Sequence, residues 1–331
     1  MGRVGNKNHV GGQTTMKLTK RDFLRLGLAA AAAPQLFAQR PPRVFPKLGI
    51  LMSYTEKNLE TAAQIGCESV QLQAGPGSRL DPTKVSAAEA GQVIKKASSL
   101  GITVSAYGCT FNHLGPTAEA AERNQAYFRQ LIAFAGDTGV KVIGAHTGLI
   151  RDAKIEANLK ALKRAFTPYL DLADKHKVYI ALENYPGQNF ATTPENLERI
   201  FEALPSRWLG LEYDPSHFVR QFIDSVAPAR QFRDRIYHVH GKDTEIIEPV
   251  LQKRGITGEG WWRYRLPGFG RVKWAELMTV LLEANYSGGI DIEHEDPMFD
   301  YPNRAPDITE GQKQGFRLAL RYLGQFIPGK A

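Results

Sequence analysis

Four side chains of metal-binding type, Glu183, Asp214, His240 and Glu293, each close a short apolar run with strand character. The runs read YIALE (179–183), WLGLEYD (208–214), RIYHVH (235–240) and GGIDIE (288–293), and each leads through a turn to a helical pattern. The parallel strands of a (β/α)8 barrel deliver their C-terminal ends to one face, where side chains from several strands meet. Two glutamates, one aspartate and one histidine there would make an oxygen-rich site for one divalent cation. His146 closes a further run, VKVIGAH (140–146), and would point into the same mouth as a substrate-facing residue.

The elements that must position these residues can be read along the chain. KLGILMS (47–53), ESVQLQ (68–73) and ITVSAYG (102–108) are the first three strands, and 140–146 is the fourth. Helical patterns follow at 56–65, 86–100, 117–138, about 153–176, 217–231, 273–285 and about 309–325, and Thr193-Pro194-Glu195 opens another with capping residues. Eight alternations of strand and helix without a long linker predict an α/β fold, a single (β/α)8 TIM barrel, rather than an open doubly wound sheet. One insertion, 241–272, is rich in glycine and aromatic residues and suits either a lid or a dimer contact, which allows a homo-oligomer.

The first residues follow a different pattern. Thr19-Lys20-Arg21-Asp22-Phe23-Leu24-Arg25 precedes an apolar LGLAAAAA run, the layout of a secretory signal. The basic pair before Phe-Leu resembles a twin-arginine export signal with Lys20 in place of the first arginine. The expected division is a leader at 1–38, cleaved after Ala38, and a barrel at 39–331. Periplasmic or exported localisation follows, with no membrane association once the signal is removed. The leader also accounts for most of the basic charge. The chain carries 42 basic and 34 acidic residues, net +8, and without the leader's six basic and one acidic residues this falls to 36 against 33, net +3. A strong electrostatic footprint for nucleic acid is therefore missing. Cys67 precedes the second strand and Cys109 follows the third, at opposite ends of a barrel, so two free thiols are expected.

From about 47 to 326 the chain resembles the xylose isomerase-like barrels, the broad sugar phosphate isomerase/epimerase family. ALEN (181–184), DPSH (214–217), HVHGKD (238–243), GFGRVKW (268–274) and GGIDIEHED (288–296) carry the resemblance, in order and on the predicted strands. It implies that Glu183, Asp214, His240 and Glu293 ligate one divalent cation, Mn²⁺ first, with Mg²⁺, Co²⁺ or Zn²⁺ as alternatives. Glu183 and Glu293 would also be the catalytic pair on opposite faces of a sugar, each binding the cation through one oxygen. His217 would face a substrate oxygen or support the cation from outside, and Lys242 would contact substrate. The implied activity is isomerisation or epimerisation of a sugar, keto-sugar or cyclitol by removal of a proton beside a carbonyl, through an enediolate. A lyase or dehydratase that eliminates from a 3-keto-glycoside would begin with the same step. Trp262, with Trp261 and Tyr264, would cover such a substrate.

Other readings compete with these. Endonuclease IV-type phosphodiesterases share this barrel, but they carry a histidine after the second strand, where this chain has Gln73-Ala74-Gly75. They also carry an Asp-x-His pair after the seventh strand, and 241–272 has none. A non-catalytic sugar-binding subunit would not need the intact ligand set. His113 is a weaker candidate for the site. His238 reads as a hydrogen-bonded core histidine, Glu295 and Asp296 as loop charges, Arg263 and Arg265 as solvated, and Gly268-Phe269-Gly270 as a turn.

Overall fold

The computed structural model describes residues 44–303 and 305–330, together with Gly2. The expected leader otherwise lies outside the described residues. Seven parallel strands run in chain order: β1 (Lys47–Met52), β2 (Ser69–Gln73), β3 (Thr103–Cys109), β4 (Val142–Ala145), β5 (Tyr179–Glu183), β6 (Leu209–Tyr213) and β7 (Ile236–His240). A two-stranded antiparallel hairpin, β8 (Asp243–Ile246) and β9 (Trp262–Arg265), interrupts the sequence of barrel strands. Strand β10 (Gly289–Ile292) then pairs with both β1 and β7 and closes an eight-stranded barrel. This is the predicted TIM barrel.

Helices on the outside are α1 (Glu56–Gln64), α2 (Ala87–Ser99), α3 (Ala118–Thr138), α4 (Ile155–His176), α5 (Pro194–Ala203), α6 (Pro215–Arg220), α7 (Ala227–Gln231), α8 (Glu248–Arg254), α9 (Trp274–Glu283) and α10 (Glu310–Gly324). Their starts follow from local chemistry. Thr55, Thr117 and Thr193 each accept a backbone N–H of the first turn, and Ser86 with Glu89 and Thr309 with Gln312 form capping boxes. The apolar faces of these helices, among them Leu59, Phe128, Phe166, Leu197 and Leu277, pack on the outward residues of the strands to form the main core.

Two expectations need correction. The predicted helix 217–231 is two short helices, α6 and α7, separated by Phe222 in the left-handed region at φ 56°. Asp224 restarts the chain by accepting the backbone N–H groups of Val226 and Ala227, which a continuous helix could not offer it. The insertion 241–272, for which the sequence pattern gives no regular element, holds the β8–β9 hairpin with α8 between its arms. Cys67 and Cys109 are free and buried, as the barrel geometry requires. Among the described residues, no helix is long and apolar enough to cross a membrane.

The barrel interior is polar for a layer that branched apolar residues usually fill. The Asp291 carboxylate accepts from Ser69 Oγ at 2.6 Å, from Ser105 Oγ, and bonds His238 Nε2 at 2.7 Å. Glu212 lies 3.0 Å from His238 Nδ1 and accepts from Gln71 Nε2 at 2.5 Å. Glycine makes room for both acids: a Cβ at Gly144 would collide with the Glu212 carboxylate, and one at Gly49 with Asp291 and the Ser69 carbonyl.

Candidate metal centre

Glu183 is the last residue of β5 and His240 the last of β7, while Asp214 and Glu293 stand one residue beyond β6 and β10. The four therefore meet at the C-terminal mouth of the barrel. His240 Nδ1 lies 3.3 Å from Glu183 Oε1, 3.3 Å from Glu293 Oε2 and 3.8 Å from Asp214 Oδ2. Asp214 Oδ2 and His240 Nδ1 are buried without a hydrogen-bond partner. Asp214 owes its fixed position to its other oxygen, which accepts from Ser216 N at 2.8 Å and Ser216 Oγ at 2.5 Å as the N-cap of α6. One carboxylate thus caps a helix and turns its second oxygen into the mouth.

Three further predicted residues join them. His217, in the first turn of α6, brings Nε2 to 3.2 Å from both Glu183 Oε1 and Asp214 Oδ2. Glu183, Asp214, His217 and Glu293 have the mutual spacing of a ligand set. Lys242 is 1 % exposed, with its ammonium 3.0 Å from Asp214 Oδ2, 3.1 Å from Glu295 Oε2, and bonded to Glu293 Oε2. His146, just past β4, bonds Glu183 Oε2 through Nε2 at 2.7 Å, with its ring stacked on Tyr185. Trp262 stands apart from the cavity lining. Its ring carries the Arg220 guanidinium at 3.8 Å and packs against Tyr264, which itself reaches His217.

The electrostatics follow from burial opposed by pairing. Burial alone would push the Glu183 carboxyl up, but hydrogen bonds from His146 and His217, with the His240 ring close by, hold it well below the usual carboxylate range. Asp214 is likewise lowered, because His217 and Lys242 beside it outweigh burial. Burial works against the charged forms of His240 and Lys242, yet the surrounding carboxylates raise both well above their ordinary values.

A second group with ligand spacing, Glu212, His238 and His240, lies one layer deeper in the barrel. His240 connects the two groups: its Nδ1 faces the mouth, and its Nε2 bonds Gln71 Oε1 at 2.8 Å and lies 3.4 Å from Glu212 Oε1. Burial pushes the Glu212 carboxyl up, but His240 and His238 bring it down to about 2.

Sequence reading missed several contributors. Glu295 lies on the loop after β10, as expected, but it holds Lys242 and lines the cavity. Asp296 is fully buried and receives Arg265 Nε at 2.8 Å and the Leu266 N–H. Arg265 is therefore a buried structural residue rather than a solvated one, whereas Arg263 keeps a partly exposed pair with Glu245. His113 is fully buried against Phe111, Phe128, Phe166 and Tyr169, outside the site. His238 is a hydrogen-bonded interior histidine, as expected. The mouth forms a cavity of about 290 Å³ lined by Gln71, His146, Glu183, His217, Lys242 and Glu293 among others. A neighbouring cavity of about 300 Å³ shares Leu51, Gln73, Glu293 and Glu295 with it and extends to Tyr301, Asn303 and Gln312.

Residues 59–321 match the family described as xylose isomerase-like TIM barrel, and the chain belongs to it. An uncharacterised protein, YfiH of Bacillus subtilis, is 25% identical over 310 residues, 82% of this chain and 95% of its own. An inosose dehydratase of Lactiplantibacillus plantarum is 26% identical over 163 residues, 48% of this chain, and the match spans about half (51%) of that relative's length. The solved structure of an L-ribulose 3-epimerase superposes with a TM-score of 0.63 at 18% identity, covering 85% of this chain and 94% of that one, a likeness of fold.

Proposed function

We propose that this protein is a divalent-metal-dependent isomerase or epimerase acting on a sugar, keto-sugar or cyclitol. The observation that carries the reading is the convergence of Asp214 Oδ2 and His240 Nδ1, both buried and without hydrogen-bond partners, on Glu183 Oε1 and Glu293 Oε2. Charge supports it. Four carboxylates (Glu183, Asp214, Glu293 and Glu295) face one ammonium, Lys242, so that with His240 neutral, as a ligand must be, three negative charges are left in a mostly buried site. Such a deficit is costly unless a cation offsets it.

Glu183, Asp214, His240 and Glu293 would hold the cation, and three carboxylates with one imidazole suit Mn²⁺, with Mg²⁺, Co²⁺ and Zn²⁺ as alternatives. When bound, the cation would polarise a substrate carbonyl and stabilise the negative charge of an enediolate. The protein supplies the proton transfers. Glu183 and Glu293 approach from β5 and β10, on different sides of the mouth. Glu183 Oε2, bonded to His146, is the oxygen that takes a carbon-bound proton in this reading, and Glu293 returns one. Lys242 keeps Glu293 ionised and offers N–H groups to substrate oxygen, and His217 offers its Nε2. Trp262 does not line the cavity and in this reading acts on the entrance only through Tyr264, against which its ring packs. Family membership and relatives that include a sugar epimerase and an inosose dehydratase support a carbohydrate substrate and enolisation chemistry.

A second reading, a lyase that eliminates from a 3-keto-glycoside, draws support from the adjoining cavity, which leaves room for a substituent beyond the reacting ring. Both readings are tested by incubating metal-reconstituted protein with sugars, cyclitols and 3-keto-glycosides in D₂O and following C–H signals by NMR against a chelated control. Metal-dependent loss of one C–H signal is expected, and the product separates epimerase from lyase. No exchange across the panel would sink both. We also propose that residues 1–38 direct export to the periplasm, which cell fractionation with and without the Lys20-Arg21 pair would test.

A further inference from the structure

The mouth contains two histidines with a ring nitrogen within reach of the same carboxylate oxygens, and distance alone does not decide which one is a ligand. His217 Nε2 and His240 Nδ1 lie 3.2 Å and 3.3 Å from Glu183 Oε1. The nitrogen on the far side of each ring decides, because the neighbour it meets fixes where the ring proton sits.

Beneath His240, Gln71 Nε2 donates to Glu212 Oε1 at 2.5 Å. A carboxylate oxygen only accepts, so the amide nitrogen must face it and the amide oxygen must face His240. His240 Nε2, 2.8 Å from Gln71 Oε1, therefore carries a proton. Its neutral form then has a lone pair on Nδ1, aimed at the convergence of the three carboxylates. Above His217 the polarity is reversed. Arg220 Nη1 donates to Tyr264 Oη at 3.2 Å, and arginine has no acceptor to offer in return. The remaining partner of the hydroxyl is His217 Nδ1 at 2.8 Å, so the hydroxyl proton goes to that nitrogen. The ring proton of His217 is left on Nε2, where Glu183 Oε1 accepts it at 3.2 Å, with Asp214 Oδ2 at the same distance and the Lys242 ammonium at 3.5 Å beside it.

We propose that Gln71 and Tyr264 are positioning residues that assign the two histidines opposite roles: Gln71 makes His240 a ligand through Nδ1, and Tyr264 makes His217 an N–H donor rather than a fifth ligand. This rests on the metal reading above. It gives the β8–β9 hairpin a chemical purpose, since Tyr264 lies on β9 and reaches the mouth from outside the barrel. It also explains why a charged layer lies beneath the site, since Glu212 orients the amide that orients the ligand.

The test is Mn²⁺ affinity measured by competition with a fluorescent chelator, which requires no substrate. Gln71→Met removes the acceptor with little change in shape and is expected to weaken binding about 10–100-fold. Gln71→Glu keeps an acceptor for His240, shares a proton with Glu212, and restores most of that loss. Tyr264→Phe leaves Mn²⁺ affinity at the wild-type value but moves the ¹⁵N resonances of the His217 ring in the Mg²⁺-loaded protein, because the lone pair on Nδ1 loses its donor. Equal weakening by Gln71→Met and Tyr264→Phe would make His217 a ligand and overturn the assignment. So would equal weakening by Gln71→Met and Gln71→Glu, which would reduce Gln71 to packing. Failure of the wild-type protein to bind any divalent cation would instead overturn the metal reading, and this assignment with it.

Discussion

Glu183 has two oxygens with separate tasks. Oε1 faces His217 and His240 at the convergence, whereas Oε2 is held by His146. Glu183→Gln preserves shape and removes both the charge and the basicity. C–H exchange into substrate should fall by about 10²–10⁴-fold, with an unchanged circular dichroism spectrum. Retained exchange would remove Glu183 from its role as base. His146→Asn separates the two tasks: it should slow exchange and leave Mn²⁺ affinity unchanged, because only Oε2 loses a partner. At this scale the four proposed ligands were legible because each ends a strand, where side chains converge. Gln71, Glu212 and Asp291 were not, since they sit inside apolar runs and resemble isolated polar interruptions. A signal was present nonetheless. Alternate residues of a strand share a face, so Glu212 belongs with Asp214 and His238 with His240, and the glycines at 49 and 144 mark where the inward acids fit.

The hairpin shows what was hidden at the level of elements. DTEI and WRYR are too short and too polar to stand out as strands, and they lie within a stretch rich in glycine. What fixes them is Asp243. Its buried carboxylate accepts the N–H groups of Thr244 (2.8 Å), Val272 (2.9 Å) and Gly268 (3.2 Å), and Trp274 Nε1 at 3.1 Å. One side chain thereby joins the start of β8, the return loop after β9 and the first turn of α9. Gly270 leaves space for it, because a Cβ there would collide with the Asp243 carboxylate. Asp243→Ala strands several buried donors and should destabilise the protein by about 2–4 kcal/mol, read as a lower midpoint in urea. Since Tyr264 is carried on the same hairpin, the variant should also perturb the His217 ring resonances. A midpoint within experimental error of wild type would show that the hairpin is held elsewhere. The split of α6 from α7 was hidden for a related reason: Asp224 competes for backbone donors through its side chain, which apolar periodicity does not register.

For the molecule as a whole, the alternation of strand and helix was enough to give the barrel, because eight βα units with both faces of the sheet covered leave few other closed arrangements. The same packing isolates His113 within an aromatic cage, where burial, helped by the nearby His146, lowers its pKa to about 3. The sign of the consequence follows from linkage. An unfolded histidine takes up a proton near its ordinary value of about 6.5, whereas the caged one stays neutral. The unfolded state therefore binds more protons, and stability falls as pH drops from about 6.5 towards 3, by up to about 1.4 kcal/mol per unit. Above that window His113 contributes no pH dependence. The lowered carboxylates of the mouth add acid sensitivity only at lower pH, near and below the range where unfolded carboxylates titrate. His238, which is raised, remains protonated in both states below about pH 6. His113→Phe fills the cage without a titrating group, at the cost of the 3.1 Å bond to Tyr169. Urea midpoints measured from pH 4.5 to 7.5 should therefore give a variant curve that is flatter than wild type on the acid side and parallel to it near neutrality. Curves parallel throughout would mean that the cage opens to admit a proton without unfolding the barrel.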